Sequence, residues 1–349
     1  MKASISILIV TWNSRSFIDL CLQSLVRSVG RPLEIIVIDN DSSDETPEIV
    51  SRYPSVELVV TSTNLGFAPA MNIALRRARG HFLCMLNPDT IVSTGALDHL
   101  ADFLDQNESA SAAGPKLLDD NGQILPTSAR PFPSLWGSVA RQFGLAKAFA
   151  HLSRSGQRAG AGFQTNSPRV VQAVSGAVLM FRKTVFEQVG PLDETIPMYF
   201  EDLDYCARLG RNGPVYCVPA AVVHHSGAKS ADEAPVRRLL YAMEDGEAPW
   251  LYFRHHRNYL SACLFVAVTL LGSIFRLSLF FPLLPLRLVG LPLPSKCRRL
   301  ISRAEALLWW SLSPRKSVEA KIKSFFGHGD HSAAGHSLSL FRPTRDGAS

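Results

Sequence analysis

The chain lacks most of the features that would assign it at a glance. Its six cysteines (Cys21, Cys84, Cys206, Cys217, Cys263, Cys297) are scattered, with no CxxC pair and no zinc-finger spacing. They read as reduced thiols in a cytosolic compartment, not as a disulfide scaffold. No Gly-x-Gly-x-x-Gly and no Gly-x-x-x-x-Gly-Lys-[Ser/Thr] loop is present, which weighs against dinucleotide oxidoreductases and P-loop enzymes. The Gly-x-Ser-x-Gly elbow of α/β-hydrolases is missing as well. No secretory signal follows Met1, so the chemistry is expected to face the cytoplasm. Acidic residues vanish altogether between Asn121 and Phe186, a stretch that carries Arg130, Arg141, Lys147, Arg154, Arg158, Arg169, Arg182 and Lys183. Such a stretch is either a solvated face or a surface for phosphates and anionic headgroups.

What is present is an ordinary globular composition over 349 residues, 46% hydrophobic and 19% charged, with 23 glycines and 22 prolines. That excludes a disordered or collagen-like chain. The net charge of +6, from 36 basic against 30 acidic residues, is too mild to imply nucleic acid.

The first hundred residues alternate short apolar runs with helical patterns, the signature of a parallel α/β sheet. Strands are expected at Ile5–Val10, Glu34–Ile38, Val56–Val60 and Phe82–Leu86, and helices at Phe17–Val29, from Pro47 with Thr46 as cap, and up to Gly80. Polar residues recur at the strand ends, as in Asp39-Asn40-Asp41 and Asn87-Pro88-Asp89, and in an open parallel sheet that edge binds ligands. A β-rich run covers Val170–Phe181, a helix Leu203–Leu209 closed by Gly210, and a short strand Val215–Val218. Tyr259–Phe275 is almost wholly apolar, and a second apolar stretch, Leu277–Leu293, is broken by Pro282, Pro285 and Arg287. With Lys296, Arg298, Arg299, Arg303, Arg315, Lys316, Lys321 and Lys323 after them, these read as a membrane anchor or as a buried helical hairpin.

The chemistry-bearing residues are Asp39, Asp89, Glu201, Asp202 and Asp204, with His224 and His225 downstream. Taken singly each has an ordinary explanation: a helix cap, a carboxylate favoured at a helix start, a core histidine. Their order along the chain carries more. Thr11-Trp12-Asn13, Val37-Ile38-Asp39-Asn40, Asn64 to Asn72 and Asn87-Pro88-Asp89 are followed by Ser175-Gly176-Ala177, Val189 to Glu194, Tyr199 to Asp204 and His224.

This ordered set resembles the family 2 glycosyltransferases, in particular their bacterial rhamnosyltransferase-like branch, over roughly residues 3 to 260. The resemblance implies a GT-A fold: an α/β, mostly parallel Rossmann-like sheet flanked by helices, here followed by an apolar, membrane-associating helical region. It implies a domain at 1–255, whose 1–120 half binds nucleotide sugar and whose 121–255 half binds acceptor; composition adds apolar and basic helices at 256–325 and a disordered tail at 326–349. It implies an inverting transferase whose donor is a nucleotide-diphosphate sugar, dTDP-rhamnose first among candidates. The apolar C-terminal stretch and the acid-free segment Asn121–Phe186 add the expectation of a lipid-linked glycan acceptor at the cytoplasmic face of the plasma membrane, in cell-surface polysaccharide synthesis, with no nucleic-acid partner.

Residue by residue, the resemblance puts Thr11, Trp12 and Asn13 in the nucleotide pocket, Asp39 on the base, and Asn64, Gly66 and Asn72 beside ribose and phosphates. Asn87-Pro88-Asp89 stands where many relatives carry Asp-x-Asp, leaving Asp89 as the carboxylate for Mg²⁺ or Mn²⁺. His224 would complete that site. It is favoured over His225 because His-x-x-Gly-x-x-Ser continues through Gly227 and Ser230, one residue longer than is usual before that serine. Gly176 would let the donor sugar approach, Asp202 would be the catalytic base, and Glu201 would orient it or the acceptor. Two other readings compete: a membrane-bound assembly protein that binds nucleotide sugar without transferring it, and a sugar nucleotidyltransferase.

Overall fold

The computed structural model describes residues 4–28, 30–145, 167–196, 200–226, 234–280 and 294–314. The chain clusters into two compact units, Met1–Phe132 with Ser153–Lys229, and Pro133–Leu152 with Ser230–Ser349.

The first unit is built on one nine-stranded sheet. β1 (Ile5–Thr11), β2 (Leu33–Asp39), β3 (Val56–Val60) and β4 (Phe82–Leu86) alternate with α1 (Ile18–Ser28), α2 (Thr46–Ser51) and α3 (Phe67–Arg77). There follow β5 (Thr90–Val92), α4 (Ala96–Gln106), β6 (Ala112–Leu118), β7 (Arg169–Val171), β8 (Val178–Arg182), α6 (Lys183–Val189), α7 (Glu201–Asn212) and β9 (Val215–His225), with α5 in the second unit. Spatial order is β3-β2-β1-β4-β8-β6-β9-β5, with β7 beside β9. β1, β2, β3 and β4 run parallel, β8 is antiparallel between β4 and β6, and β6 and β9 are parallel. β1 and β4 are buried along their whole length, as mostly apolar strands covered on both faces are. Ile7, Ile9, Leu22, Leu25, Cys84, Leu97, Leu100 and Met180 join the core that fixes α1 and α4 against the sheet.

This topology places several chain segments at one edge. β1, β2, β4, β6 and β9 all end there, and because β8 runs the other way, its entry turn Ser175–Ala177 arrives at the same edge.

Local expectations shift at four places. Glu45 stands at the N-terminus of α2 without a side-chain cap bond, while the Thr46 hydroxyl accepts the Ser14 N–H at 2.8 Å and donates to Asp44. α3 stops at Arg77, before Gly80. α7 starts at Glu201, runs through Gly210 and closes at Gly213. β9 does not stop at Val218; it continues past Pro219 to His225, crossing a register shift opposite Pro115 and Lys116.

The second unit is helical: α5 (Leu135–Gln142), α8 (Ala234–Ala242), α9 (Ala248–His256), α10 (Tyr259–Leu279) and α11 (Ser295–Leu312), with a π-helical turn at Met243–Glu247. α10 packs on α5, α9 and α11. Trp310 is fully buried, and its indole N–H donates to Glu247 at 2.7 Å. Among the described residues α10 is one helix long and apolar enough to cross a bilayer. Residues 281–293, the cations Arg315, Lys316, Lys321 and Lys323, and the 326–349 tail lie outside the described residues.

The acid-free stretch resolves into separate contacts where it is described. Arg130 pairs with Asp202, and Arg141 with Asp245. Arg182 donates to the carbonyls of Leu104, Asn107 and Ala110 around the end of α4, and Lys183 Nζ donates to the Ala78 carbonyl at 3.1 Å. Each of these four cations has at least one partner within the chain.

Candidate functional site

Three groups of side chains stand at the sheet edge where these strands end. The first surrounds Asp39. Thr11 and Asp39 are partners in the β1–β2 register, and the Thr11 hydroxyl donates to Asp39 Oδ2 at 2.9 Å. Ser42 adds its hydroxyl to Oδ2 at 2.7 Å and its backbone N–H to Oδ1 at 3.0 Å. Asp39 is fully buried, and these three donors stabilise its charge, since a buried carboxylate without partners would be costly. A carboxylate has about four lone-pair positions, so one on Oδ1 remains. Asn13 holds the facing loop, its N–H donating to the Ser42 hydroxyl at 2.9 Å and its side-chain oxygen accepting the Ser43 N–H at 2.9 Å. Trp12 lies half-buried between Thr11 and Asn13.

Asn40 ties in the third strand end. Its amide nitrogen donates to Asn64 Oδ1 at 2.8 Å and to the Gly66 carbonyl at 3.2 Å, and its oxygen accepts the Leu65 N–H at 2.9 Å. Thr11, Trp12, Asn13, Asp39, Asn64 and Gly66 therefore belong to one patch. Asn72 points elsewhere. Almost fully buried, it donates to the Leu192 carbonyl at 3.0 Å and to Glu194 at 2.8 Å, and accepts the Leu192 N–H at 2.9 Å. From the other side Arg208 donates to the Pro191 carbonyl at 2.7 Å and Tyr205 to the Gly190 carbonyl at 3.2 Å. The Gly190–Glu194 segment is thus braced between α3 and α7.

The second group is the turn after β4. The Asn87 N–H donates to the Ala177 carbonyl at 3.0 Å, seating this turn against the one that enters β8. Asp89 Oδ1 lies 3.2 Å from His225 Nε2, with both side chains mostly buried. The histidine expected beside Asp89 was His224, and the structure puts His225 there instead. In β9 adjacent side chains alternate between faces, so His225, level with Thr90, reaches Asp89 while His224, level with Ile91, points the other way. Cys21 Sγ lies 3.8 Å from the Asn87 carbonyl; burial pushes its thiol up to about 12, so it supplies no thiolate.

The third group is Asp202 with its partners. Asp202 Oδ2 accepts the Gly176 N–H at 3.0 Å and lies 2.9 Å from Arg130 Nη1, while Oδ1 accepts the Leu203 N–H at 2.7 Å. A Cβ on Gly176 would come 3.0 Å from the Asp202 Cβ, so this glycine lets α7 approach the turn closely. Glu201, half-buried beside Asp202, has its carboxyl pushed up to about 7, first by burial and then by the Asp202 charge. Tyr199 lies outside the described residues, as do Gly227 and Ser230.

The second and third groups are joined through the backbone: Asp89 follows Asn87, Asn87 bonds Ala177, and the neighbouring Gly176 bonds Asp202. Three contributors escaped the sequence reading. Ser42 belongs to none of the motifs, Arg130 is one cation among eight, and His225 stands beside the favoured His224. Among the described residues no group of three or more His, Cys, Asp or Glu side chains converges as a metal cage. Asp89 with His225 nevertheless fits a hard divalent cation, which takes one or two protein ligands and completes its shell with substrate phosphates and water.

Comparison with known proteins gives the family and the fold. The sequence model of glycosyl transferase family 2 matches residues 6–156. The N-acetylglucosaminyl-diphospho-decaprenol L-rhamnosyltransferase of Mycobacterium tuberculosis is 32% identical over 257 residues, covering 68% of this chain and 81% of that protein. The low-salt glycan biosynthesis hexosyltransferase Agl10 of Haloferax volcanii is 25% identical over 215 residues, covering 60% of this chain and 63% of that one. The solved mannosyltransferase PcManGT of Pyrobaculum calidifontis, in complex with GDP-Man and Mn²⁺, superposes with a TM-score of 0.53 at 15% identity, covering 89% of this chain and 87% of that one. The last likeness speaks to the fold alone, and that fold is GT-A.

Proposed function

We propose that this chain, which belongs to glycosyl transferase family 2, is an inverting transferase that moves rhamnose from dTDP-rhamnose to a lipid-linked glycan. That it is a glycosyltransferase follows from the family. The finer reading is supported by the relative that acts, by its name, on a diphospho-decaprenol acceptor. The single observation that carries the chemistry is the seating of Asp202 on Gly176, one turn away from the Asp89 turn at the same sheet edge.

In this reading Thr11, Trp12, Asn13, Asn64 and Gly66 line the nucleotide pocket. Asp39 offers its last free lone pair to the imide N–H of thymine or uracil. Asn72 shapes the pocket through the Leu192–Glu194 segment it holds. Asn87 sets the turn on which Asp89 stands. A divalent cation, Mg²⁺ or Mn²⁺, held by Asp89 and His225 would neutralise charge growing on the diphosphate. Asp202 takes the proton of the acceptor hydroxyl as its oxygen attacks the anomeric carbon. The bond from that carbon to the diphosphate oxygen breaks on the opposite side, and nucleoside diphosphate leaves. Glu201, beside it, orients the acceptor. The outward face of α10 attaches the chain to the cytoplasmic side of the membrane that carries the acceptor.

The test is a donor panel with purified chain, Mg²⁺ and a prenyl-diphosphate-linked N-acetylglucosamine acceptor, reading the nucleotide released and the anomeric configuration of the product. The expected result is dTDP release from dTDP-rhamnose with inversion. Retention, or pyrophosphate as the released product, overturns the reading; donor binding without transfer assigns the non-catalytic role.

A further inference from the structure

The second unit gathers arginines around a single carboxylate. Arg141 Nη1, at the end of α5, lies 3.2 Å from Asp245 Oδ1, and Arg303 Nη2, on α11, lies 2.6 Å from the same oxygen. Arg276, in the last turn of α10, donates to the Gln142 carbonyl at 2.9 Å and to the Arg141 carbonyl, so its guanidinium sits at the same end of α5. The crossing that brings it there is tight: a Cβ on Gly272 would come 2.5 Å from the Gln142 Cβ. Both ion pairs of Arg141 and Arg303 end on Asp245, which leaves two of three positive charges without a carboxylate among the described ion pairs. Arg303 Nε is buried and finds no acceptor among the described residues. Guanidinium groups held this close repel one another, and the arrangement is relieved by an anion with several oxygens.

The neighbouring surface narrows what that anion belongs to. α10 presents Leu260, Leu264, Leu271, Ile274, Phe275 and Leu279 outward, and buries Ala262, Thr269, Gly272 and Ser273. A helix on a water-facing surface has the opposite arrangement. Ile274, Phe275 and Leu279 lie within a turn of Arg276, so the exposed apolar face adjoins the one member of the arginine cluster that α10 carries. Acyl chains beside a phosphate are the matching chemistry.

We propose that Arg141, Arg276 and Arg303 form a binding site for the phosphate of an anionic membrane lipid. The inference rests on the membrane-surface reading of α10 and adds to it a defined headgroup contact.

The test is flotation of the full-length chain with vesicles of phosphatidylcholine alone and of phosphatidylcholine mixed equally with phosphatidylglycerol. Binding to the neutral vesicles reads the apolar face of α10; the gain on adding phosphatidylglycerol reads the arginine site. At about fivefold per basic residue near an anionic surface, Arg141→Gln/Arg303→Gln is expected to lose about twenty-five-fold or more of that gain. The exposed pair Arg254→Gln/Arg257→Gln removes the same charge and is expected to lose less. Asp245→Asn, which frees both guanidinium groups, is expected to tighten binding to the mixed vesicles, a result misfolding does not produce. Equal losses in the two arginine pairs, or weaker mixed-vesicle binding by Asp245→Asn with neutral binding intact, overturn the site. So does thermal stabilisation by inorganic phosphate that depends on the cluster without any phosphatidylglycerol gain, which assigns a soluble anion instead. Failure of the wild-type chain to float with neutral vesicles overturns the α10 reading itself.

Discussion

Arg130 and Asp202 form a largely buried ion pair, and its carboxylate oxygen is the one that accepts the Gly176 N–H. With Leu203 on the other oxygen, the carboxylate is held from three directions. An acceptor hydroxyl must compete with Arg130 for it, so the arginine both aims the base and sets how readily it is reached.

Asp202→Asn keeps the shape and most hydrogen bonds but cannot take a proton. Donor binding by calorimetry is expected within twofold of wild type, while turnover falls by about 10²–10⁴, the contribution of a positioned base. Near-normal transfer would remove Asp202 from that role. Arg130→Gln tests positioning separately. Its kcat is expected to fall more than its KM rises, with Arg130→Lys restoring part of the loss.

Glu201 carries a signature that pH experiments read directly. Its folded carboxyl is raised from the ordinary 4.5 to about 7, so the folded chain holds a proton that the unfolded chain has released between those values. The stability this group contributes is complete below pH 4.5 and is lost as pH rises through 7. Glu201→Gln is therefore expected to gain about 1–2 kcal/mol over wild type at pH 8, after allowance for partial exposure, and nothing at pH 4. Urea melts at the two pH values check this; equal effects at both would show an ordinary carboxyl.

His225→Ala and His224→Ala separate the two faces of β9. Losing the side chain that touches Asp89 is expected to raise the cation concentration needed for half-maximal transfer by about 10–100-fold, as for a lost ligand or its support. His224→Ala is expected to leave that requirement within about twofold. A larger effect at His224 would restore the sequence-based assignment.

The residues that were legible in the sequence are those whose signal is local. β1, β2 and β4 announce themselves as short, mostly apolar runs, and Asp39 and Asn87 stand at the polar ends of β2 and β4. What was not legible depends on distance or on phase. Arg130 meets Asp202 across 72 residues, and nothing near Arg130 marks it among its basic neighbours. The histidine assignment turned on strand phase: β9 was expected to end at Val218, and only a strand continuing past Pro219 alternates through His224 and His225. The run in α10 is apolar on every side, so which face is covered depends on α5, α9 and α11.

Asn72 offers a stability test away from the chemistry. Its amide makes three hydrogen bonds to the Leu192–Glu194 segment, and Asn72→Ala leaves the Leu192 N–H and carbonyl buried without partners. A loss of about 2–4 kcal/mol is expected from thermal or urea unfolding. A loss under about 0.5 kcal/mol would mean the segment is held by Arg208 and Tyr205 alone.

The outward face of α10 gives the last test. Leu264 and Leu271 are about half exposed, at 46% and 59%, so aspartates there displace no packed neighbours and cost little in detergent. Against acyl chains the same charges are expensive, about 2.5–3.5 kcal/mol each near a bilayer centre. Leu264→Asp/Leu271→Asp is therefore expected to move the chain from the membrane to the soluble fraction while its melting temperature in detergent stays within a few degrees of wild type. Ala262→Asp, on the buried face, is expected to do the reverse and lower the melting temperature sharply, because the charge meets α9 and α11 rather than lipid. If the double variant sediments with membranes as wild type does, α10 is not the element that holds the chain there, and its outward leucines face water.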